Sequence, residues 1–380
     1  MVLLNLCYVS LEIDGGIMLQ KFYSLDNIDS KNATYNIIIG QRSNGKSYAA
    51  LLKGVKNYAK TGEQMALIRR YREDFVGKRG QVMFDALLNN DEVKKATKGM
   101  WTGIFYQSSK WYFCRTDDDM TIKADEPFCY GFALSEMEHD KSTSYPKITT
   151  VVFDEFISRV GYLKDEFVIF CNVISTIIRH RTNVKIYMLG NTVNKYCPFF
   201  DEMGLTHVKS MKPGTIEVYT YGDSELRVAV EYCHNLKANS KKKTNDYYFA
   251  FDNPKLKMIT NGAWEIDIYP HLMVKYKPKD VLFQYFIDFN GEILHCEIVH
   301  AEDCLFTYIH RKTTPIQDTK KDLIYTTESR PEPNIRRNML KPTDMIDKKI
   351  AKFFADYKVF YQSNDVGEVM RNYLLWCMSK

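Results

Sequence analysis

Eight consecutive residues, Gly40-Gln41-Arg42-Ser43-Asn44-Gly45-Lys46-Ser47, have the makings of a backbone cradle for phosphate. Two glycines let the chain turn its N–H groups inward, and a lysine followed by a hydroxyl residue supplies a mobile cation and a metal ligand. The flanking sequence suits the task. Tyr35-Asn36-Ile37-Ile38-Ile39 is a short apolar, β-branched run of the kind found in buried parallel strands, and from Tyr48 through Tyr58 apolar residues recur at helical spacing. A loop between such a strand and a helix gains the positive end of the helix dipole. On this reading Gly40 to Ser47 bind ATP. Lys46 reaches the β- and γ-phosphates, and Ser47 ligates Mg²⁺.

A phosphate loop needs a carboxylate at the end of a second buried strand, and Thr149-Thr150-Val151-Val152-Phe153-Asp154-Glu155 supplies it. Asp154 is the expected acid on the Mg²⁺ side, and Glu155 the expected base that orients the attacking water. A third strand pattern, Lys185 to Thr192, ends in Gly190-Asn191-Thr192, which makes Asn191 the candidate γ-phosphate sensor, a reading favoured over a plain strand-end turn at Gly-Asn. Between these strands, Phe167, Phe170, Cys171, Ile174, Ile177 and Ile178 mark the apolar face of a helix that runs into Arg179-His180-Arg181. Basic residues there offset the helix dipole, and either arginine could also reach a neighbouring subunit's γ-phosphate, with Arg181 slightly preferred. Arg69, Arg70 and Arg72 lie at the carboxyl end of the strand pattern that starts at Met65, where open α/β sheets bind ligands, and are candidates for nucleotide or DNA contact, with solvated surface the favoured reading for at least one of them.

In their order along the chain, the phosphate loop, the V-V-F-D-E-F acid strand and the Y-M-L-G-N-T strand resemble the DNA-packaging ATPases of small short-tailed phages of the phi29-like type. These are relatives of terminase large subunits. The stretch from Phe132 to Pro146 adds to the likeness, which covers roughly residues 30–200. The resemblance implies a homo-oligomeric ring, a pentamer by analogy, whose sites are shared across subunit interfaces and whose trans arginine falls at the Arg179/Arg181 pair. It implies double-stranded DNA as cargo, the portal of an empty capsid as partner, with packaging RNA as a further candidate, and work in the host cytoplasm. It also implies a C-terminal RNase H-like domain that has lost its nuclease role.

The elements that must hold these groups are an N-terminal α/β domain with a mainly parallel sheet flanked by helices, of the phosphate-loop class with an added strand and a catalytic glutamate (ASCE), and a smaller α+β domain behind it. The 380 residues favour two domains. The expected boundaries are 1–235 for the ATPase domain, 236–250 for a polar, Lys-rich linker and 251–380 for the second domain. Val2 to Val9 reads as a strand or arm rather than a secretory signal, and no apolar run is long enough to span a bilayer. Nine cysteines without a C-x-x-C pair argue against a zinc site or disulfide framework and for a reducing compartment. Of the net +5, positions 236–380 contribute 23 basic minus 19 acidic residues, or +4, with a Lys241-Lys242-Lys243 run, a tilt compatible with nucleic acid.

In the C-terminal third, Val281 to Val299 alternates apolar and polar residues around Asn290-Gly291, a type I′ hairpin signal. Asp288 sits where an RNase H-like nuclease carries its first carboxylate. Cutting with two metal ions needs three or four converging carboxylates, and Asp303, Asp347 and Asp365 are the later candidates, none inside a motif. A degenerate or purely binding domain is therefore favoured over an active metal-dependent nuclease. Arg311 to Lys341 reads as a long Pro-containing loop, with helices expected over 345–361 and 366–378. A binding module without hydrolysis and a small-molecule kinase are the other readings; the glutamate after Asp154 and the lack of a lid motif speak against the kinase.

Overall fold

A computed structural model describes residues 2–7, 23–118, 120–136, 144–222, 224–234 and 264–379. The chain forms two compact units, each with its own sheet. The first comprises 1–159 and 165–264; the second comprises 265–380 and the short stretch Val160–Lys164. The expected linker at 236–250 lies outside the described residues, and the second unit resumes at Glu265.

The first sheet has eleven strands: β1 (Val2–Cys7), β2 (Tyr35–Gly40), β3 (Gln64–Arg69), β4 (Gly103–Gln107), β5 (Lys110–Asp117), β6 (Met120–Lys123), β7 (Cys129–Ala133), β8 (Ile148–Asp154), β9 (Lys185–Asn191), β10 (Thr215–Tyr221) and β11 (Arg227–Tyr232). Their order is β1-β10-β11-β2-β9-β8-β3-β7-β5-β4, with β6 paired to β5. The six strands from β11 to β7 run parallel, and the outer strands are antiparallel. Ile37, Ile38 and Ile39 on β2 and Val151, Val152 and Phe153 on β8 are fully buried, as strands covered on both faces must be. The decisive feature is β9, which separates the phosphate-loop strand β2 from the acid strand β8. This is the added strand expected of an ATPase with a catalytic glutamate. It brings the ends of β2, β8 and β9 side by side, with Gly40 in register with Asn191 and Asp154 with Leu189.

Two helices position this edge. Helix α1 (Lys46–Thr61) starts directly from the loop and packs Ala50, Leu51 and Val55 inward. Helix α2 (Glu166–Ile178) returns the chain from the end of β8 to the start of β9 and buries Phe170, Val173, Ile174 and Ile177. Strands β4 and β5 form an aromatic hairpin that turns at Ser108 and Ser109, both at positive φ.

The second sheet is ordered β16 (Ile335–Arg336), β15 (Ile324–Thr326), β12 (Val281–Phe289), β13 (Glu292–Ala301), β14 (Cys304–Lys312), β17 (Val359–Tyr361). Strands β12, β13 and β14 form an antiparallel meander, turned at Asn290 and Gly291, which take φ of 54° and 74° as a type I′ turn requires. Strand β15 runs parallel to β12, and β16 parallel to β15, which is the RNase H-like arrangement. These two strands fall within 311–341, so that segment is not simply a loop. The helix expected over 345–361 stops earlier: α3 spans Met345–Ala355, Tyr357 takes a positive φ, and Val359–Tyr361 becomes β17 beside β14. Helix α4 (Asn364–Ser379) closes the chain and buries Val369, Met370 and Tyr373.

Candidate nucleotide site

The loop from Gly40 to Ser47 folds as a cradle. Gly45 takes φ of 95°, which favours glycine, and Ser43 also sits at positive φ. At Gly40, a Cβ would come within 2.9 Å of the Cys233 Cβ, so the end of β2 can pass Cys233 only as glycine. Arg42, Ser43, Asn44, Gly45, Lys46, Ser47 and Tyr48 line a cavity of about 380 Å³, and Asp154, Glu155, Leu189, Gly190 and Asn191 complete its wall. Of the expected loop residues, Gly40 and Gln41 do not line it.

Lys46 is buried. Its ammonium donates to the carbonyls of Gly40 (3.3 Å) and Gln41 (2.8 Å), to Asn44 Oδ1 (3.1 Å) and to Asn191 Oδ1 (3.3 Å). Burial pulls its pKa down to about 8, against the opposing influence of Cys233 and Asp154. Ser47 Oγ donates to Asp154 Oδ1 at 3.0 Å, joining motifs 107 residues apart. Burial raises the Asp154 pKa, while Arg69 and Ser47 hold it back. Asn44 Nδ2 is buried beside the Cys233 thiol with no oxygen or nitrogen acceptor. Buried donors of this kind cost stability unless an acceptor arrives, which fits an anionic ligand in the cradle. The donor set also fits Mg²⁺, because a serine hydroxyl beside a carboxylate is a hard oxygen pair.

The arginines after β3 divide their work by the alternation of the strand. Arg69 reaches both acids, with Nη2 2.8 Å from Asp154 Oδ2 and Nη1 2.7 Å from Glu155 Oε2. Arg70 points the other way and is buried in a fork against Glu166 (2.7 and 2.9 Å). It also donates to the carbonyls of Glu155 (3.3 Å) and Phe156 (2.8 Å). Arg70 thus fixes the backbone at Glu155, which adopts a φ of 61° that is costly for a side chain of this size. Arg72 is exposed and pairs with Glu136. Sequence reasoning named all three as candidate ligands but missed Glu166; an arginine beside an acid strand with an acid opening the next helix was the available signal.

Arg181 is not brought to this cavity. Its guanidinium donates to the carbonyls of Tyr145, Ile148, Ile177 and Ile178, at 2.7 to 3.2 Å. Ile148 begins β8 and Asp154 ends it, so Arg181 lies about 20 Å away along the strand. Arg179 caps α2 at φ 36° and is exposed.

Asp288, in the second unit, is half-buried and opposite Thr326 of β15. Burial, then Glu328, push its pKa up, and Arg330 opposes them. The other three candidate carboxylates do not gather around it. Asp303 sits in the turn between β13 and β14, Asp365 in the first turn of α4, and Asp347 is tied to Tyr325, Arg336 and Thr343. Among the described residues, the group of three side chains close enough to hold a metal ion includes none of these four.

The model of the podovirus DNA encapsidation protein (Gp16) family matches residues 18–328, which contain the whole cavity. The chain belongs to this family. As an encapsidation protein it is of the phi29-like DNA-packaging type. The DNA packaging protein of Bacillus phage PZA is 24% identical over 274 residues, 71% of this chain and 73% of that one. The one from Bacillus phage phi29 is 28% identical over 182 residues, 47% of this chain and 49% of that one. Among solved structures, the bacteriophage Phi-29 viral genome packaging motor assembly aligns over 95% of this chain and all of its own, with a TM-score of 0.53 and 21% identity. The Phi-28 gp11 DNA packaging motor aligns over 94% and 98%, with a TM-score of 0.51 and 17% identity. Both likenesses show the fold. Among the described residues, no helix is long and apolar enough to cross a membrane.

Proposed function

We propose that this encapsidation protein is an ATP hydrolase that drives double-stranded DNA into an empty capsid, working as a homo-oligomeric ring on the portal. The observation that carries the hydrolase reading is the Ser47–Asp154 hydrogen bond, with Asn191 on the intervening strand touching Lys46. Gly40 to Ser47 cradle the phosphates through backbone N–H groups, and Lys46 exchanges its four protein acceptors for phosphate oxygens. Ser47 and Asp154 would hold Mg²⁺, which would supply positive charge against the phosphates there. Glu155, whose carboxylate is mostly exposed and leans on Arg69, orients a water and accepts its proton. Asn191 and Lys46 share a contact, which lets Asn191 report whether the γ-position is filled.

A trans arginine from the Arg179/Arg181 pair completes the site of a neighbouring subunit. The four carbonyls held by Arg181 favour Arg179 in this role, the reverse of the preference drawn from sequence. Five subunits, packaging RNA at the portal and work in the host cytoplasm extend this reading on the strength of the family likeness. An active nuclease is not favoured, because among the described residues no group of three or more metal-ligating side chains forms around Asp288.

The test is ATP turnover by the purified protein with Mg²⁺ and DNA. Lys46→Ala and Glu155→Gln should each lower turnover by about 10³-fold; equal turnover in wild type and both variants would sink the assignment. Mixing Glu155→Gln subunits with Arg179→Ala subunits should restore turnover, each lending what the other lacks. Restoration with Arg181→Ala but not with Arg179→Ala would move the finger back to Arg181.

A further inference from the structure

His295 and Glu297 lie two residues apart on β13, so their side chains leave the same face of the sheet. His310 on β14 is the register partner of His295. Together the three are the group noted above: one ligand atom from each lies within 4.8 Å of the others. The His310 Nε2 to Glu297 Oε2 distance is 3.6 Å, and the two imidazole rings are 4.7 Å apart between centroids. A tetrahedral zinc ion with bonds of about 2.0–2.2 Å would hold its ligand atoms about 3.5 Å apart, so closure needs side-chain shifts on the order of 1 Å.

The surroundings are those of ligands already oriented. Tyr276 donates its hydroxyl to Glu297 Oε2. His295 Nε2 is 3.1 Å from Gln284 Oε1, and His310 Nδ1 is 3.4 Å from the Arg311 carbonyl. An acceptor on one nitrogen of each ring fixes the tautomer and leaves the other nitrogen for a metal. The rings are also braced, His295 against Phe286 and His310 against Tyr308. All three ligand residues are half-buried, so the site is neither a solvated surface nor sealed.

We propose that His295, Glu297 and His310 form a binding site for a zinc-class divalent ion, with a solvent oxygen as fourth ligand, that clamps β13 to β14. Two imidazoles and one carboxylate select Zn²⁺ over Mg²⁺, because nitrogen donors suit the softer ion. The site is therefore distinct in kind from both the Mg²⁺ pair of the first unit and a carboxylate nuclease centre, and Asp288 is not among its ligands. Its sequence signature, H-x-E on one strand and a lone histidine on the next, is invisible until the register is known. Lys312 lies on the same face, its ammonium 5.9 Å from the Phe286 ring centroid, and its charge works against a cation at His295.

The experiment uses the full-length protein, stripped of metal and then titrated with Zn²⁺ in excess Mg²⁺, with Co²⁺ absorption as a second readout. Wild type should take up one Zn²⁺ per chain at this site, and Co²⁺ should give a spectrum of low coordination number. His295→Gln and His310→Gln should each weaken Zn²⁺ binding by at least tenfold and remove the Co²⁺ spectrum, and Tyr276→Phe should weaken it about tenfold. Mg²⁺-dependent ATP turnover, unchanged in His295→Gln, reports that the variant is folded. Zn²⁺ bound equally by wild type and both histidine variants, or no Zn²⁺ retained by wild type, would overturn the proposal.

Discussion

The two sheets carry comparable raw material at their functional edges, yet only one assembles it. In the first unit, the ends of β2, β8 and β9 deliver a lysine, a serine, two acids and an asparagine into one cavity. In the second, Asp288 lies opposite Thr326 in an RNase H-like sheet and feels the Glu328 carboxylate, but among the described residues no third acid gathers with them. The difference is not one of fold, since both strand orders are intact. It lies in whether separate strands present complementary groups at the same height. A backbone topology can persist through packing alone, because Tyr285, Leu294 and Ile309 still bury the second sheet. Catalysis additionally needs each polar group to be supplied and oriented.

The contrast extends to the arginines. Arg70 is buried with Glu166, whose side chain is 3% exposed, whereas Arg330 pairs with Glu328 at 39% and 62% exposure. Arg70→Ala would strand a buried carboxylate and release the backbone at Glu155. It should cost about 3 kcal/mol or more in a denaturant melt of the first unit and lower turnover with it. A loss under about 1 kcal/mol would mean that Glu155 is held by something other than this fork.

Acid–base behaviour sharpens the comparison next. Lys46 has its pKa lowered to about 8 by burial, so the empty site begins to lose this charge above pH 8. Phosphate favours the charged form, so ATP affinity should weaken above pH 8, approaching tenfold per pH unit, when measured by fluorescent-nucleotide titration. For stability the sign is opposite. A lowered lysine pKa means that the empty fold gains stability as pH rises from about 8 towards the unfolded value of 10.5, and loses it as pH falls through 8. A flat affinity profile between pH 7 and 9.5 would contradict the burial of Lys46 in the working site. The smallest effect belongs to the second unit: Arg330→Ala should leave the denaturant midpoint unchanged within error, because both partners are solvated.

Much of the first site was legible in sequence because its motifs are local. Loop, acid strand and sensor strand each announce themselves within about eight residues, and their order along the chain does the rest. What escaped was the pairing between segments. Nothing local distinguishes Arg69, which reaches the acids, from Arg70, which turns to Glu166; that follows from strand alternation once β3 is placed beside β8. Arg181 shows the same limit, since a helix-end arginine reads the same whether it projects outward or folds back onto four carbonyls. In the second unit the hairpin at Asn290-Gly291 was clear from its turn chemistry. Strands β15, β16 and β17 were not, because segments of two or three residues have no readable period and gain their hydrogen bonds from β12 and β14.

The most direct test measures ATP-dependent protection of double-stranded DNA inside empty capsids by Glu155→Gln and Asp288→Ala proteins side by side. Glu155→Gln should abolish protection while Asp288→Ala retains it within about twofold of wild type. Full protection with Glu155→Gln, or its loss with Asp288→Ala, would contradict the assignment of the working chemistry to the first sheet.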